Sequence, residues 1–156
     1  MRTFHHTFTV NADIDRVWRF YTDMGHLQII SPPRMQIQIV KCTHQQLVAG
    51  SEVWLTGILL TRSNWHSRIT KLAPYEYIDE MLTGRFKVWK HVHGFRKLDN
   101  NKTEVIDKID FELQYGWLGR LFEGYVHSQL EKIFDHRKRA TIEALEGQLD
   151  HSNRLG

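Results

Sequence analysis

Hydrophobic and polar side chains alternate from residue 3 to residue 10, which predicts a half-buried β-strand. Apolar residues at helical spacing then predict a helix over residues 11–22, with Asn11 as its N-cap. A second, short helix is predicted over residues 24–30. It ends at Ser31-Pro32-Pro33, because proline lacks the backbone donor and disfavours helix in the residue before it.

The region from Pro33 to Leu113 has no helical period and consists of strand-like stretches separated by turn signals. Alternation is clearest at its end, where the odd-numbered residues from Val105 to Leu113 oppose the even-numbered ones. The pattern is typical of a meander of antiparallel strands with one exposed and one covered face. The predicted strands span residues 35–43, 51–60, 62–72, 75–83, 87–98 and 102–113.

A long helix is predicted after Gly116, running about 30 residues or roughly 45 Å. Its apolar positions are taken as one stripe that covers the sheet: Leu118, Leu121, Phe122, Tyr125, Val126, Leu130, Ile133, Phe134, Ala144 and Leu145. A helix this long is best covered by a sheet that curls around it. The predicted fold class is therefore α+β, a seven-stranded curved antiparallel sheet around a C-terminal helix. Residues 1–147 are expected to form one domain and residues 148–156 a frayed tail.

Composition narrows the class of protein. The 156 residues are 41% hydrophobic and 25% charged, as in globular proteins, and acidic residues are interleaved with basic ones at a net charge of +3. The densest basic run, residues 136–139, points in several directions at helical spacing, so we predict no nucleic-acid partner. Cys42 is the only cysteine, which excludes an internal disulfide. No apolar run suggests a signal or transmembrane segment, so we predict a cytoplasmic protein; peripheral contact with anionic lipid stays open.

Polar residues on a covered sheet face are the candidate chemistry. Trp89, His91, His93 and Phe95 share one face by period two, and a hairpin at residues 99–101 places Asp107 opposite His93 or Phe95. Ile109 and Phe111 lie on that same face. By the same parity, the further inward candidates are His6, Ser67, Asp79 and, on the helix, Arg137. An apolar interior with a few converging polar groups is typical of a small-molecule pocket.

Several roles are open for His91, His93 and Asp107. A buried histidine–aspartate pair is often only a satisfied structural hydrogen bond, and it can also orient a ligand or move a proton. Alternate histidines on a strand can chelate zinc, but no clear third nitrogen or sulfur ligand accompanies them, so we predict neither a metal nor a cofactor. Phosphate-binding loops, nucleophile elbows and His-Glu-x-x-His are absent from the sequence.

The order strand, two short helices, six strands and long helix resembles the helix-grip fold of the START, polyketide-cyclase and birch-pollen-allergen superfamily (SRPBCC). Within it, residues 3–147 resemble a bacterial ligand-binding, cyclase/dehydrase-like branch. The motifs that carry this resemblance are Val17-Trp18-Arg19-Phe20, Ile30-Ser31-Pro32, Gly50, Trp65 with Ile69, Tyr77-Ile78-Asp79, Gly84-Arg85-Phe86, Trp89-Lys90-His91-Val92-His93-Gly94-Phe95, Thr103, Val105, Asp107, Ile109, Tyr115-Gly116, and Phe134 with Arg137.

The resemblance implies a cavity between sheet and helix for a hydrophobic, lipid- or polyketide-like molecule, and it supplies no family-wide catalytic residue. The expected ligand-binding residues are Trp65, Trp89, His91, His93, Phe95, Asp107, Ile109, Phe111, Phe122, Tyr125 and Arg137. We expect a binding protein. The alternatives are a cyclase or dehydratase that uses His91, His93 and Asp107 as acid and base, and a regulatory protein that binds a partner through its surface.

Overall fold

The computed structural model describes residues 1–152. Seven strands, two short helices and one long helix follow one another in the predicted order, and a 3₁₀ turn that was not predicted precedes the second strand. Their bounds are β1 Arg2–Val10, α1 Ile14–Thr22, α2 His26–Ile30, the 3₁₀ turn Pro33–Met35, β2 Gln38–Cys42, β3 Glu52–Ile58, β4 Arg62–Ala73, β5 Glu76–Thr83, β6 Phe86–Asp99, β7 Lys102–Leu113 and α3 Gly116–Ser152.

The seven strands form one antiparallel sheet in the order β1-β7-β6-β5-β4-β3-β2. Strictly alternating burial along β3 and β7 reflects one face turned to solvent and one turned to the core. The helix α3 packs on the core face and contacts β1 and β7. The predicted α+β helix-grip fold, a curved antiparallel sheet around a long C-terminal helix, is confirmed.

The start of α1 differs from the prediction. The N-cap is Asp13, whose carboxylate accepts a hydrogen bond from the Arg16 N–H at 2.9 Å. The backbone N–H of Asn11 instead donates to the Glu146 carboxylate at 2.8 Å. Asp13 is the better cap, because its carboxylate both accepts from a free N–H and carries charge that the positive helix end favours.

The strand β2 begins three residues later than predicted. Pro33 starts a 3₁₀ turn that ends at Met35, and Gln36 follows in the left-handed region at a φ of 46°. A residue in that region cannot continue an extended strand, so pairing with β3 begins at Gln38.

The helix α3 buries a narrower face than predicted. Val126, Leu130, Ile133 and Phe134 pack against the sheet in one cluster that includes Phe4, Met35, Phe86, Ile109, Phe111 and Leu113. The predicted stripe also contained four residues that are in fact exposed: Leu118, Leu121, Phe122 and Tyr125. At about 100° per residue, these four are centred roughly 115° around the helix from the buried set. The predicted single stripe is therefore two adjoining apolar faces, one buried and one exposed.

The same helix continues through Ser152, into the stretch predicted as a frayed tail. The rest of that predicted tail, residues 153–156, lies outside the described residues.

Candidate functional site

A cavity of about 180 Å³ lies between the core face of the sheet, the helices α1 and α2, and the middle of α3. Its walls are mostly apolar, with Trp65 from β4, Trp89 from β6, and Leu130 and Phe134 from α3 among them. Asp79 on β5 and His91 and His93 on β6 form one polar corner of the cavity, and other polar residues lie elsewhere in its wall: Asp23, His26, Ser31, Ser63, Ser67 and Arg85. A mostly apolar cavity with a polar corner can hold a small molecule and fix its orientation.

The polar corner is built by the register of three neighbouring strands. His91 and His93 lie two residues apart on β6, so both side chains point to the core face. The β6–β7 register places Asp107 opposite His93, and the β5–β6 register places Asp79 opposite His91. Two histidines thus lie between two carboxylates.

Each imidazole lies near both carboxylates. His91 Nε2 is 2.8 Å from Asp107 Oδ1, and His93 Nε2 is 3.4 Å from Asp79 Oδ2. Each ring also approaches the other carboxylate through its Nδ1 atom. His91 Nδ1 is 3.7 Å from Asp79 Oδ2, and His93 Nδ1 is 3.4 Å from Asp107 Oδ1. The two rings pack at a centroid distance of 3.6 Å. Tyr77 stacks on the other side of His93 at 4.1 Å.

Burial decides the protonation of His91. Loss of solvation, reinforced by the neighbouring His93, lowers the pKa of His91 from 6.5 to about 4, although Asp107 and Asp79 raise it. His91 is therefore neutral at pH 7 and carries a single N–H. Because the short contact is to Asp107, that hydrogen is assigned to Nε2, and the lone pair of Nδ1 faces Asp79.

Both carboxyl groups are ionised. Burial raises their pKa values, but the imidazoles of His91 and His93, followed by the charge of Arg137, outweigh it and hold the pKa of Asp79 and Asp107 below the usual range. The Nδ1 atom of His91 and the Oδ2 atom of Asp79 are then two acceptors that face each other without a hydrogen between them. A group that donates a hydrogen bond into this corner can satisfy His91 Nδ1, or can use the second lone pair of Asp79 Oδ2, whose first faces His93 Nε2.

Arg137 brings the complementary chemistry from α3. Its guanidinium lies 5.0 Å from the Phe134 ring centroid, and its side chain lines the cavity. Its Nε atom is buried and, like His93 Nδ1, has no hydrogen-bond partner among the described residues. The corner therefore offers an unused donor, Arg137 Nε, together with the acceptor His91 Nδ1.

The donor atoms of Asp79, His91 and His93 lie within 4.8 Å of one another, a group that could hold a metal ion. The positive charge of Arg137 acts on the same carboxylates and opposes a cation there. The prediction that the protein takes no metal stays a prediction.

The sequence-predicted site residues fall into three groups. Trp65, Trp89, His91, His93 and Arg137 line the cavity. Asp107 lies directly behind the histidines and is 2% exposed, so it reaches the cavity only through their rings.

The other five predicted residues do not line the cavity. Phe95 is buried among α1 side chains, with Tyr21 at a ring distance of 5.0 Å, and Ile109 and Phe111 are fully buried where α3 packs on the sheet. All three lie on the core face of the sheet, as predicted, but a helix covers that face at their positions. Phe122 and Tyr125 are exposed, because they lie on the outer face of α3.

Sequence reasoning underrated β5 and the first two helices. The sequence predicts Asp79 only as an inward residue and does not mark Tyr77, although a hairpin at Gly84 pairs β5 with β6 and brings both beside the histidines. Residues of α1 and α2 also line the cavity, including Tyr21, Met24 and Ile30. No sequence signal distinguished these side chains from ordinary core.

No helix among the described residues is both long enough and apolar enough to cross a membrane. No curated protein matches the sequence. Solved structures that match in fold include the protein TTHA0849 from Thermus thermophilus, with 13% identity and a TM-score of 0.75 over 94% of this chain and 99% of that one.

Two further structures are similar. A START superfamily protein from Mycobacterium smegmatis shares 13% identity and has a TM-score of 0.70, with 94% of this chain and 98% of that chain covered. The Zhui aromatase/cyclase from Streptomyces sp. R1128 shares 21% identity and has a TM-score of 0.67, with 96% and 93% covered. At these identities the likeness shows the fold, and it agrees with the predicted SRPBCC membership. The sequence profile described as polyketide cyclase / dehydrase and lipid transport matches residues 10–140, and the chain therefore belongs to that family.

Proposed function

We propose that this protein binds a small hydrophobic molecule with a hydroxyl group in the cavity between the sheet and α3. The observation that carries the proposal is the buried polar corner, formed by Asp79, His91, His93 and Arg137, in a mostly apolar cavity. Membership of a family described by cyclases, dehydrases and lipid transport supports it. A cytoplasmic location stays part of the prediction.

The volume sets the size of the ligand. An apolar cavity of about 150 Å³ is enough to hold benzene in a protein, and this cavity is about 180 Å³. It suits a molecule with one ring, or the one-ring end of a larger lipid- or polyketide-like molecule. Burial of roughly 250 Å² of apolar surface at about 25 cal/mol per Å² supplies about 6 kcal/mol before binding costs, so we expect a Kd of about 0.1 to 1 mM for such a ring.

The polar corner sets the functional group. His91 Nδ1 lies 3.7 Å from Asp79 Oδ2 and has no hydrogen between them to accept, while the buried Arg137 Nε requires an acceptor. A hydroxyl both donates and accepts, so it complements the corner. A carboxylate can pair with Arg137 but brings a third negative charge beside Asp79 and Asp107.

Three one-ring probes that share a tolyl group and differ in one substituent test this reasoning: p-cresol, toluene and 4-methylbenzoate, titrated by NMR. We expect p-cresol to bind about tenfold more tightly than either of the others, since one satisfied hydrogen bond contributes about 1 kcal/mol or somewhat more. Equal binding of toluene and p-cresol contradicts the role of the corner. No saturable binding of any probe contradicts the cavity proposal.

Two tryptophan variants locate the binding. Trp89→Ala removes a cavity wall and should weaken p-cresol binding at least tenfold. Trp54→Ala is the matched control, because Trp54 stacks on His66 on the outer face of the sheet at 4.2 Å. An equal effect of both variants argues against this cavity.

A second candidate function is catalysis of proton transfer, and the neutral His91 hydrogen-bonded to the buried Asp107 carboxylate favours it. Burial lowers the pKa of His91 to about 4, so the ring is neutral and able to accept a proton at pH 7, and the Asp107 carboxylate offsets part of the loss of basicity. Acetophenone in D₂O is a one-ring probe whose methyl protons exchange when a base removes them. Exchange that is lost in both His91→Asn and His93→Asn supports catalysis. Exchange no faster than in buffer alone contradicts catalysis and favours binding as the function.

A further inference from the structure

Six large apolar or aromatic side chains stand exposed at the start of α3, and we call them the α3 patch. Their exposed fractions range from 48% to 83%. The patch consists of Tyr115, Trp117, Leu118, Leu121, Phe122 and Tyr125. A cluster of this kind marks a surface that binds something apolar.

The patch is one face of the helix with a sharp end. At about 100° and 1.5 Å per residue, the five patch residues inside α3 cover an arc of about 140° and a length of about 12 Å. Farther along the helix the same outward arc carries Lys132, Asp135 and Arg139, all exposed. The apolar surface thus stops where charged side chains begin, as in helices that lie shallowly in a bilayer interface.

The patch adjoins one end of the cavity. It begins two residues after Leu113, which packs in the same cluster as Phe86. The Gln114 side chain donates a hydrogen bond to the Gly84 carbonyl oxygen at 3.0 Å, in the turn between β5 and β6. Arg85 and Phe86, which follow in that turn, line the cavity.

The charges around the patch favour binding to a negatively charged surface. The nearby acidic groups are already paired, Glu112 with Lys87 at 2.8 Å and Glu123 with Arg2 at 3.1 Å. Arg85 in the neighbouring turn and Arg120 within the helix are exposed, and neither forms an ion pair with a side chain of residues 1–147. The patch therefore lies beside uncompensated positive charge.

We propose that the α3 patch docks the protein on a lipid bilayer that contains anionic headgroups. Tryptophan and tyrosine have apolar rings with a polar atom and suit the bilayer interface, and the two arginines suit the headgroups. A second copy of the chain is disfavoured as the occupant, because a symmetric contact brings the arginines of both copies together. The surface does not depend on what the cavity binds.

Sedimentation with vesicles tests the proposal on the full chain. We expect the protein to partition onto phosphatidylcholine vesicles with about 30% phosphatidylglycerol, at least fivefold more than onto pure phosphatidylcholine, and to be released as salt rises. The double variant Leu121→Ser with Phe122→Ser should bind at least tenfold more weakly. The matched control, Val40→Ser with Leu98→Ser, removes two exposed apolar residues from strands and should bind like the wild type.

Single variants distinguish the contribution of the arginines from that of the apolar patch. Arg120→Gln removes one headgroup contact of about 1 kcal/mol and should reduce binding to anionic vesicles about fivefold without affecting neutral ones. Trp117→Gln should lose the blue shift of tryptophan emission that vesicles produce in the wild type. Because both side chains are exposed, unchanged thermal unfolding is expected and checks that each variant is folded.

Three results overturn the proposal: no sedimentation of the wild type with either vesicle, equal sedimentation of the patch and control variants, or a dimer in light scattering that the patch variant loses. The last result assigns the patch to a second copy. Binding of p-cresol, measured without vesicles, should be unchanged in the patch variant. Vesicle binding without p-cresol binding therefore contradicts only the cavity proposal.

Discussion

Mild acid should destabilise this protein through His91. The pKa of the folded-state imidazole is lowered by burial from 6.5 to about 4, so the unfolded chain takes up this proton near its ordinary pKa and the folded chain does not. Stability that is present above pH 6.5 is then lost as the pH falls toward 4. From about pH 7.5 to about pH 4.5, the expected loss from this group is about 2 to 3 kcal/mol of the free energy of unfolding.

The His91→Gln variant isolates this loss. The glutamine amide can still donate to Asp107, but it does not titrate. Urea unfolding at a series of pH values gives the free energy of unfolding of both proteins, and the wild type should lose about 2 to 3 kcal/mol more over that range. The groups that face His91, namely His93 on its own strand, Asp107 on β7 and Asp79 on β5, remain in both proteins.

The lower limit of about pH 4.5 keeps the carboxylates ionised. The lowered pKa of Asp107 contributes stability that is lost only below the ordinary aspartate range, which lies under this window. Parallel losses in the wild type and in His91→Gln would refute the reasoning, since they would mean that His91 titrates alike in the folded and unfolded chains.

Four further variants test the packing of α3. Gly124→Ala should raise the free energy of unfolding by about 0.5 to 1 kcal/mol in urea titrations, because an added Cβ meets nothing within 4 Å and the helix gains propensity. Gly119→Ala should instead lower the thermal midpoint, because its Cβ would overlap the Gln114 carbonyl oxygen. Leu130→Ala, 1% exposed, should cost about 2 to 5 kcal/mol, whereas Phe122→Ala should stay within about 0.5 kcal/mol by the same measurement; equal costs would place Phe122 in the core.

The elements of this fold could be predicted from local patterns, and the site only in part. Period two along β6 and β7 correctly placed His91, His93 and Asp107 on one covered face, because a strand fixes which side each residue faces. It did not reveal that Phe95, Ile109 and Phe111 lie under helices while Trp89 borders a cavity. That distinction depends on where α1 and α3 cross the sheet, which is a matter of packing between elements distant in sequence.

The helix α3 shows the same limit from another direction. Both of its apolar faces carry residues of similar hydrophobicity, so composition alone merges Phe122 and Tyr125 with Val126 and Leu130. Packing against the sheet determines which face becomes core. The sequence did not place Asp79 in the site, because Asp79 reaches the histidines only through its register with His91. That register depends on a turn whose exact length the sequence leaves open.

The order of the strands also has a consequence for how the chain folds. The first strand, β1, pairs with the last, β7, in a register that joins Arg2 to Phe111 and Val10 to Thr103. Contacts of such long sequence separation form late and slow folding, because a large loop must close before they contribute. During synthesis, Phe4 and Phe8 on β1 leave the ribosome before the other strands and stay exposed until nearly all of the sheet has formed. Aggregation of the nascent chain should therefore begin at this segment.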